Sequence, residues 1–247
     1  MSGHNKWSTI KHKKAAVDAK RSKAWTKIIK EITVSARLGG GDPSGNPRLR
    51  AAIDKARGAN MPNDNITRAI KKGTGEEGGV HYEELAYEAY GPGGVALLIE
   101  IMTDSRNRTA SEIRHVLERH NGKLAAAGAV SYLFKKHGVL TFEGASEDAI
   151  TELAIELGAD DVRAAETTVD VITDPHDFEK VREGFEKKGL KPTHAELQMV
   201  PSSTVRIEGR DAESMVKLMN ALEDHDDVQN VFANFDIDDK VLEQLSA

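Results

Sequence analysis

The sequence predicts a multidomain α+β protein: an N-terminal three-helix all-α domain, then two α+β domains, one ferredoxin-like and inserted into the other. Three observations predict it. Charge is segregated, residues 1–75 holding 17 Lys+Arg against 5 Asp+Glu, a net of +12, in a chain that totals 34 against 40. Residues 76–247 therefore hold 17 against 35, a net of −18. Apolar residues recur at helical spacing before the Gly-rich stretch Gly73–Gly79, and strand-like runs dominate after it. Within the acidic part, one series reads β-α-β-β-α-β, the ferredoxin-like order.

Residues 1–13 show no helical period and are expected to form an extended basic arm. From Ala15 to Leu38 a helix is expected, with Trp25, Ile28, Ile29, Ile32 and Ala36 as one apolar stripe. Lys20, Lys23, Lys27 and Lys30 fall on the opposite face, a row about 15 Å long. Asn46 reads as an N-cap with Pro47 at the first helical position, and Leu49, Ala52, Ile53 and Ala56 as a buried face ending at Gly58. A third helix is expected from Pro62 to Lys72, burying Ile66, Ala69 and Ile70.

GTGEEGG at 73–79 is a linker by composition. It spells GxGxxG, but a dinucleotide fingerprint needs a strand before it and a helix after it, the reverse of the order here. Strands at Tyr82–Tyr90 and Val95–Met102 flank GPGG as a hairpin. A helix over Arg106–His120 and a strand over Val130–Phe134 follow. The ferredoxin-like series then comprises a strand at Val139–Phe142, a helix at Glu147–Leu157 and strands at Val162–Ala165 and Thr168–Ile172. A helix at Phe178–Lys188 and a strand at Ala195–Val200 complete it. A helix at Asp211–Glu223 and a strand at Val228–Phe235 close the chain. The expected domains are 1–75, 80–136 with 203–247, and the insert 137–202.

With 39% hydrophobic and 30% charged residues the chain reads as soluble and globular. The absence of cysteine excludes disulfides, thiolate-bound zinc and a cysteine nucleophile. The opening residues have charge but no apolar core of a secretory signal, and no apolar run approaches a membrane span. A cytoplasmic protein without membrane contact is expected.

The arm and first helix carry Lys6, Lys11, Lys13, Lys14, Lys20, Arg21, Lys23, Lys27 and Lys30, with Asp18 the only acid among them. A row of one sign repels itself unless an anion neutralises it, which predicts phosphate contact, joined by His12 in the arm and by Arg68, Lys71 and Lys72 on the third helix. Trp7 stands beside Lys6 and is open to two readings: stacking on an unpaired base, or covering the small helical core. Asn63, Asn65 and Arg68 lie where a helix-turn-helix would read bases, although asparagines also start helices. At Thr103–Thr109, backbone N–H groups with Arg106 and Arg108 suit a phosphate, while Asp104 or Ser105 as an N-cap explains the same residues. GPGG lacks a following Lys-Ser/Thr and reads as a turn.

No enzyme signature is present: His115 and His120 are five apart, and neither HExxH nor GxSxG occurs. The carboxylates Asp224, Asp226, Asp227, Asp236, Asp238 and Asp239 lack a calcium-loop pattern and are expected to be solvated element ends. No metal or cofactor is expected.

The runs GHNKWSTIKHKKAAVDAKRSKAWTKIIKEI, NPRLRAAIDKARGANMPNDNITRAIKKGTG, YEAYGPGGVALLIEIMTDSRNRT and EDHDDVQNVFANFDI resemble blocks of the YebC family. Its members are described as probable transcriptional regulatory proteins, and its mitochondrial relatives as translational activators. The resemblance covers essentially the whole chain, departing locally at 76–80 and 120–128. It implies three domains with the middle one inserted, and no enzymatic activity. The function expected is a DNA-binding transcriptional regulator acting through the basic domain. The alternative is a translational activator binding ribosomal RNA through the same surface, its acidic domains facing the ribosome.

Overall fold

A computed structural model describes Trp7 and residues 18–78, 81–165 and 168–246, the side chains of 18–21, 239, 243 and 246 excepted. The basic segment folds as α1 (Asp18–Gly39), α2 (Pro47–Gly58) and α3 (Asn63–Thr74). Its core holds Ile28, Ile32, Ala36, Leu49, Ile53 and Ile66, the stripes expected from spacing, with Trp25 and Ile29 packed against it. Asn46 caps α2 as its sequence position predicts: its side chain accepts from the Leu49 N–H at 3.1 Å while its amide donates to the Ser35 carbonyl at 2.8 Å. Trp25 Nε1 donates to the Ala59 carbonyl at 3.0 Å. Gly73 lets α3 pass close to α1, since a Cβ there would meet the Thr33 carbonyl at 2.4 Å.

A first antiparallel sheet is built from β1 (Glu83–Tyr90), β2 (Ala96–Thr103), β3 (Lys123–Leu124) and β9 (Val228–Ala233), in the order β3-β1-β2-β9. The expected hairpin is present: β1 pairs with β2 across a tight 3-10 turn, Pro92–Gly94, where Gly93 takes φ 67°. β2 is buried on both faces, as a central strand should be. Leu97, Ile99 and Ile101 face α4 (Arg106–Arg119) and α7 (Gly209–Glu223), through Ile113, Leu117, Met215 and Leu222. Ala96 and Leu98 face Val130, Phe134 and Phe232.

The second sheet lies wholly within the first sheet's sequence. It contains β4 (Phe134–Glu143), β5 (Asp161–Ala164), β6 (Thr168–Thr173) and β7 (His194–Pro201), in the order β5-β6-β4-β7 and antiparallel throughout. With α5 (Glu147–Leu157) and α6 (Phe178–Lys187), this is the ferredoxin-like arrangement inserted into the other α+β unit. Leu140, Phe142, Ile150, Val171, Val181 and Phe185 fill its core.

The local expectations need three corrections. Val130–Phe134 is not a strand: Ser131–Leu133 form a 3-10 turn, with Val130 and Phe134 buried on either side. Val130 and Phe134 instead serve as the two buried anchors of that turn. The strand expected over Val228–Phe235 breaks at Asn234. Its Oδ1 accepts from the Ala96 N–H at 2.8 Å and its Nδ2 donates to the Ser203 carbonyl at 3.1 Å. The chain then resumes as β10 (Phe235–Asp236) beside β8 (Val205–Arg206). Finally, α8 (Asp239–Ser246) begins where solvated carboxylates were expected, Asp238 accepting from the Lys240 N–H at 3.0 Å. No helix among the described residues is long and apolar enough to cross a membrane.

Candidate nucleic-acid interface

The lysine row of α1 meets an anion, and that anion is part of the same chain. Lys23 Nζ lies 3.6 Å from Asp224 Oδ1. Lys27 Nζ donates to the Glu223 carbonyl at 2.6 Å. Lys30 Nζ donates to Asp227 Oδ1 at 2.5 Å and to the Asp226 carbonyl at 2.9 Å. These acceptors gather at the C-terminal end of α7, where the helix dipole and unpaired carbonyls favour cations. Arg37 and Arg48 extend the contact: Arg37 Nη2 reaches the Tyr82 carbonyl at 2.7 Å, and Arg48 bridges Glu31 of α1 and Glu84 of β1.

Lys30 is therefore corrected as a phosphate ligand. It is 6% exposed and its ammonium is committed to Asp227, so it presents no charge to an outside polyanion. Lys27, half-buried, points at the same acidic turn.

Asp227 is the hub that sequence reading missed, having been grouped with solvated carboxylates. It is 4% exposed. Thr109 Oγ1 donates to its Oδ2 at 2.6 Å, Arg108 Nη2 at 2.8 Å and Thr103 Oγ1 at 3.2 Å. Burial alone would raise the carboxyl's pKa. Hydrogen bonds from Lys30, Thr109 and Arg108 overcome this and hold it well below the usual carboxylate range. At the Thr103–Thr109 junction the side chains of Thr103, Arg108 and Thr109 thus surround an internal carboxylate, that of Asp227. Ser105 occupies the N-cap position of α4 without a side-chain cap bond. Arg108 is corrected accordingly, its fork turned toward Asp227 and Asp104. Arg106 stays exposed, 3.6 Å from Glu83. The one signal that could have singled out Asp227 is its place directly before the buried strand residue Val228.

Trp7 needs correction on both readings. It is 4% exposed, so it cannot stack on a base, and it lies in the core of the first sheet with Ile99, Met215 and Leu222, not in the helical core. Its Nε1 donates to Glu223 Oε1 at 3.1 Å. Lys6, Lys11, His12, Lys13 and Lys14 lie outside the described residues, as do the side chains of Lys20 and Arg21.

The cations turned outward are on the other two helices: Arg50, Lys55 and Arg57 of α2 and Arg68, Lys71 and Lys72 of α3 are all exposed. Residues 68, 71 and 72 share one helical face. Only Asp54 and Asp64 oppose them on these helices. At the start of α3 the N-cap is Pro62, with no side-chain cap bond, so Asn63 and Asn65 do not occupy the N-cap position.

A cleft of about 650 Å³ opens beside the hub, lined in part by Lys23, Lys30, Tyr82, Arg108, His115 and His225. Glu112, His225 and Asp227 place ligand atoms within 4.8 Å of one another. They are already used, however. His225 Nδ1 accepts from the Asp227 N–H at 3.1 Å and its Nε2 faces Glu112 at 3.0 Å, while Asp227 is held by two cations and two hydroxyls. The donor set is that of an ion-pair network.

A basic helical module, docked by its first helix onto an acidic α+β body with a ferredoxin-like insert, defines a charge-segregated three-domain class of protein. The family profile described as TACO1/YebC protein N-terminal domain matches residues 5–76, and that described as TACO1/YebC second and third domain matches 82–235. The chain belongs to the TACO1/YebC family. A probable transcriptional regulatory protein of Syntrophus aciditrophicus is 59% identical over 250 residues, covering 100% of both chains. One of Geotalea uraniireducens is 58% identical over 246 residues, covering 99% of this chain and 100% of its own. A solved structure of a conserved hypothetical protein from Aquifex aeolicus superposes with a TM-score of 0.80 at 49% identity, covering 91% of this chain and 94% of that one.

Proposed function

We propose that this protein is a non-enzymatic, nucleic-acid-binding regulator of gene expression whose phosphate-contacting surface is the exposed basic side of α2 and α3. One observation carries the reading: Lys23, Lys27 and Lys30 of α1 face acceptors of the acidic body, whereas six cations of α2 and α3 face outward. The names of the relatives, probable transcriptional regulatory proteins, agree with it. Duplex DNA is the first target, with α2, the turn at 59–62 and α3 as the approach and Asn63 and Arg68 at base-reading positions. Residues 1–75 act as the binding unit, and 80–136 with 203–247 and 137–202 as its acidic partners.

The test is a salt titration on labelled duplex. Six neutralised phosphates give a slope of log affinity on log salt near about −5. Arg68→Ala/Lys71→Ala/Lys72→Ala lowers that slope by about three units. An unchanged slope in the triple variant sinks the proposal.

The translational reading is favoured by the docking itself. The segment carrying −18 sits against the helical module, where it repels a long duplex but would meet basic proteins in a ribonucleoprotein. Co-sedimentation with ribosomes at physiological salt, compared with promoter binding, separates the two.

A further inference from the structure

Residues 119–142 contain four Lys/Arg and no Asp or Glu. At the mean density of the acidic part, 35 acids in 172 residues, about five would fall there. Inside this island Tyr132 is 72% exposed, an aromatic ring left in water. Single exposed aromatics are ordinary. What sets this one apart is the framework beneath it.

Val130 and Phe134, two residues to either side, are buried with Ala96, Leu98 and Phe232. The Glu88 carboxylate accepts the backbone N–H groups of Gly128 at 2.7 Å, Val130 at 2.6 Å and Ser131 at 2.9 Å. Ser202 closes the far side, its N–H and Oγ both donating to the Leu133 carbonyl, at 2.8 and 3.0 Å. The backbone carrying Tyr132 is thereby fixed, so holding the ring outward adds little ordering cost on binding. Lys135 and Lys136 follow on β4, within about 11 and 14 Å even along a fully extended chain. Both side chains are exposed. At the other end of the island, burial first and then the charges of Arg119 and Lys217 push the His120 pKa down.

We propose that this segment is a second nucleic-acid contact, in which Tyr132 stacks on an unpaired base while Lys135 and Lys136 take the flanking phosphates. A rigid aromatic beside cations suits a single strand and not a duplex, whose bases are already stacked. The inference rests on the nucleic-acid reading above and adds to it the class of target, an unpaired strand.

The test uses the full chain and three labelled probes at one ionic strength: an unstructured 16-nucleotide RNA, the same sequence as single-stranded DNA, and duplex DNA. Tyr132→Ala is expected to weaken single-strand binding by about fivefold or more, the lower end of what a stacked base is worth. Tyr132→Phe retains it within about twofold, because the ring stays, and both variants bind duplex as the parent does. A loss seen with RNA alone assigns the site to RNA, and a loss with both single strands assigns it to any unpaired strand. Undiminished single-strand binding by Tyr132→Ala overturns the inference, as does a parent protein that binds no single strand. Either result leaves the α2–α3 reading standing if duplex binding still falls in the Arg68/Lys71/Lys72 variant.

Discussion

Lys30 and Asp227, 197 positions apart in the chain, form a buried ion pair with Nζ 2.5 Å from Oδ1. Arg108 sits 2.8 Å from the other oxygen, so one carboxylate pairs with a cation from α1 and a cation from α4 at once. The pair joins the helical module to the α+β body through charge, where Trp7 joins them through apolar burial.

Removing the carboxylate should be far more costly than removing a surface charge. Asp227→Ala strands Lys30 without its counter-ion, which costs about 3–5 kcal/mol, read as a lowered urea midpoint. The double variant Lys30→Met/Asp227→Leu should recover much of that loss, since an apolar pair leaves no buried charge and the half-exposed Arg108 keeps Asp104. A double variant no better than Asp227→Ala would show that the hydroxyls and Arg108 dominate the site.

Acid should release the same contact. The Asp227 carboxyl is held below its ordinary value of about 3.9, so the unfolded chain takes up the proton first. The stabilisation is fully present above about pH 4 and is lost as pH falls further toward the depressed folded value. The stability gap between the parent and Asp227→Asn, measured in urea, should stay constant from pH 7 to about 5 and narrow below about pH 4.

Much of the helical unit was legible because its determinants are local. The Asn46 cap, Pro47 at the helix start and the Leu49, Ile53 and Ala56 stripe lie within one short window, and the structure returns them nearly unchanged. Lys23, Lys27 and Lys30 do meet anionic or carbonyl acceptors, but within the same chain. What periodicity cannot reveal is which anion, because Asp227 is remote in sequence and looks like any other Asp in DHDD. Trp7 was misplaced for the same reason: its apolar demand was evident, its partners were not. Two-residue strands such as Lys123–Leu124 fall below any periodic signal.

Trp7→Ala should destabilise the α+β body, although residue 7 belongs to the basic segment. Truncating a buried tryptophan costs about 3–5 kcal/mol. With only Trp7 and Trp25 in the chain, fluorescence of Trp25→Phe reports Trp7 alone. Its emission should be blue-shifted in the native state and move red together with the unfolding of the first sheet.

Lys23→Ala/Lys27→Ala should leave the salt slope on duplex DNA close to that of the parent, because these side chains face Asp224 and the Glu223 carbonyl. A slope lowered by two units would mean that the lysines leave the acidic turn to meet phosphate.

Gly73→Ala should loosen the helical unit. The added methyl meets the Thr33 carbonyl, so α3 must shift from α1 at about 1–3 kcal/mol. Thermal unfolding would register this as a lower transition temperature.

The long reach of the Lys30–Asp227 pair also sets an order of events at synthesis. At about 5–20 residues per second, the 197 positions between them take about 10–40 s to emerge. Through that interval α1 is complete while its lysines still lack their carboxylates, so a nascent chain offers a broader cationic surface than the finished protein. Docking of the acidic turn onto α1 therefore waits until nearly the whole chain has been made.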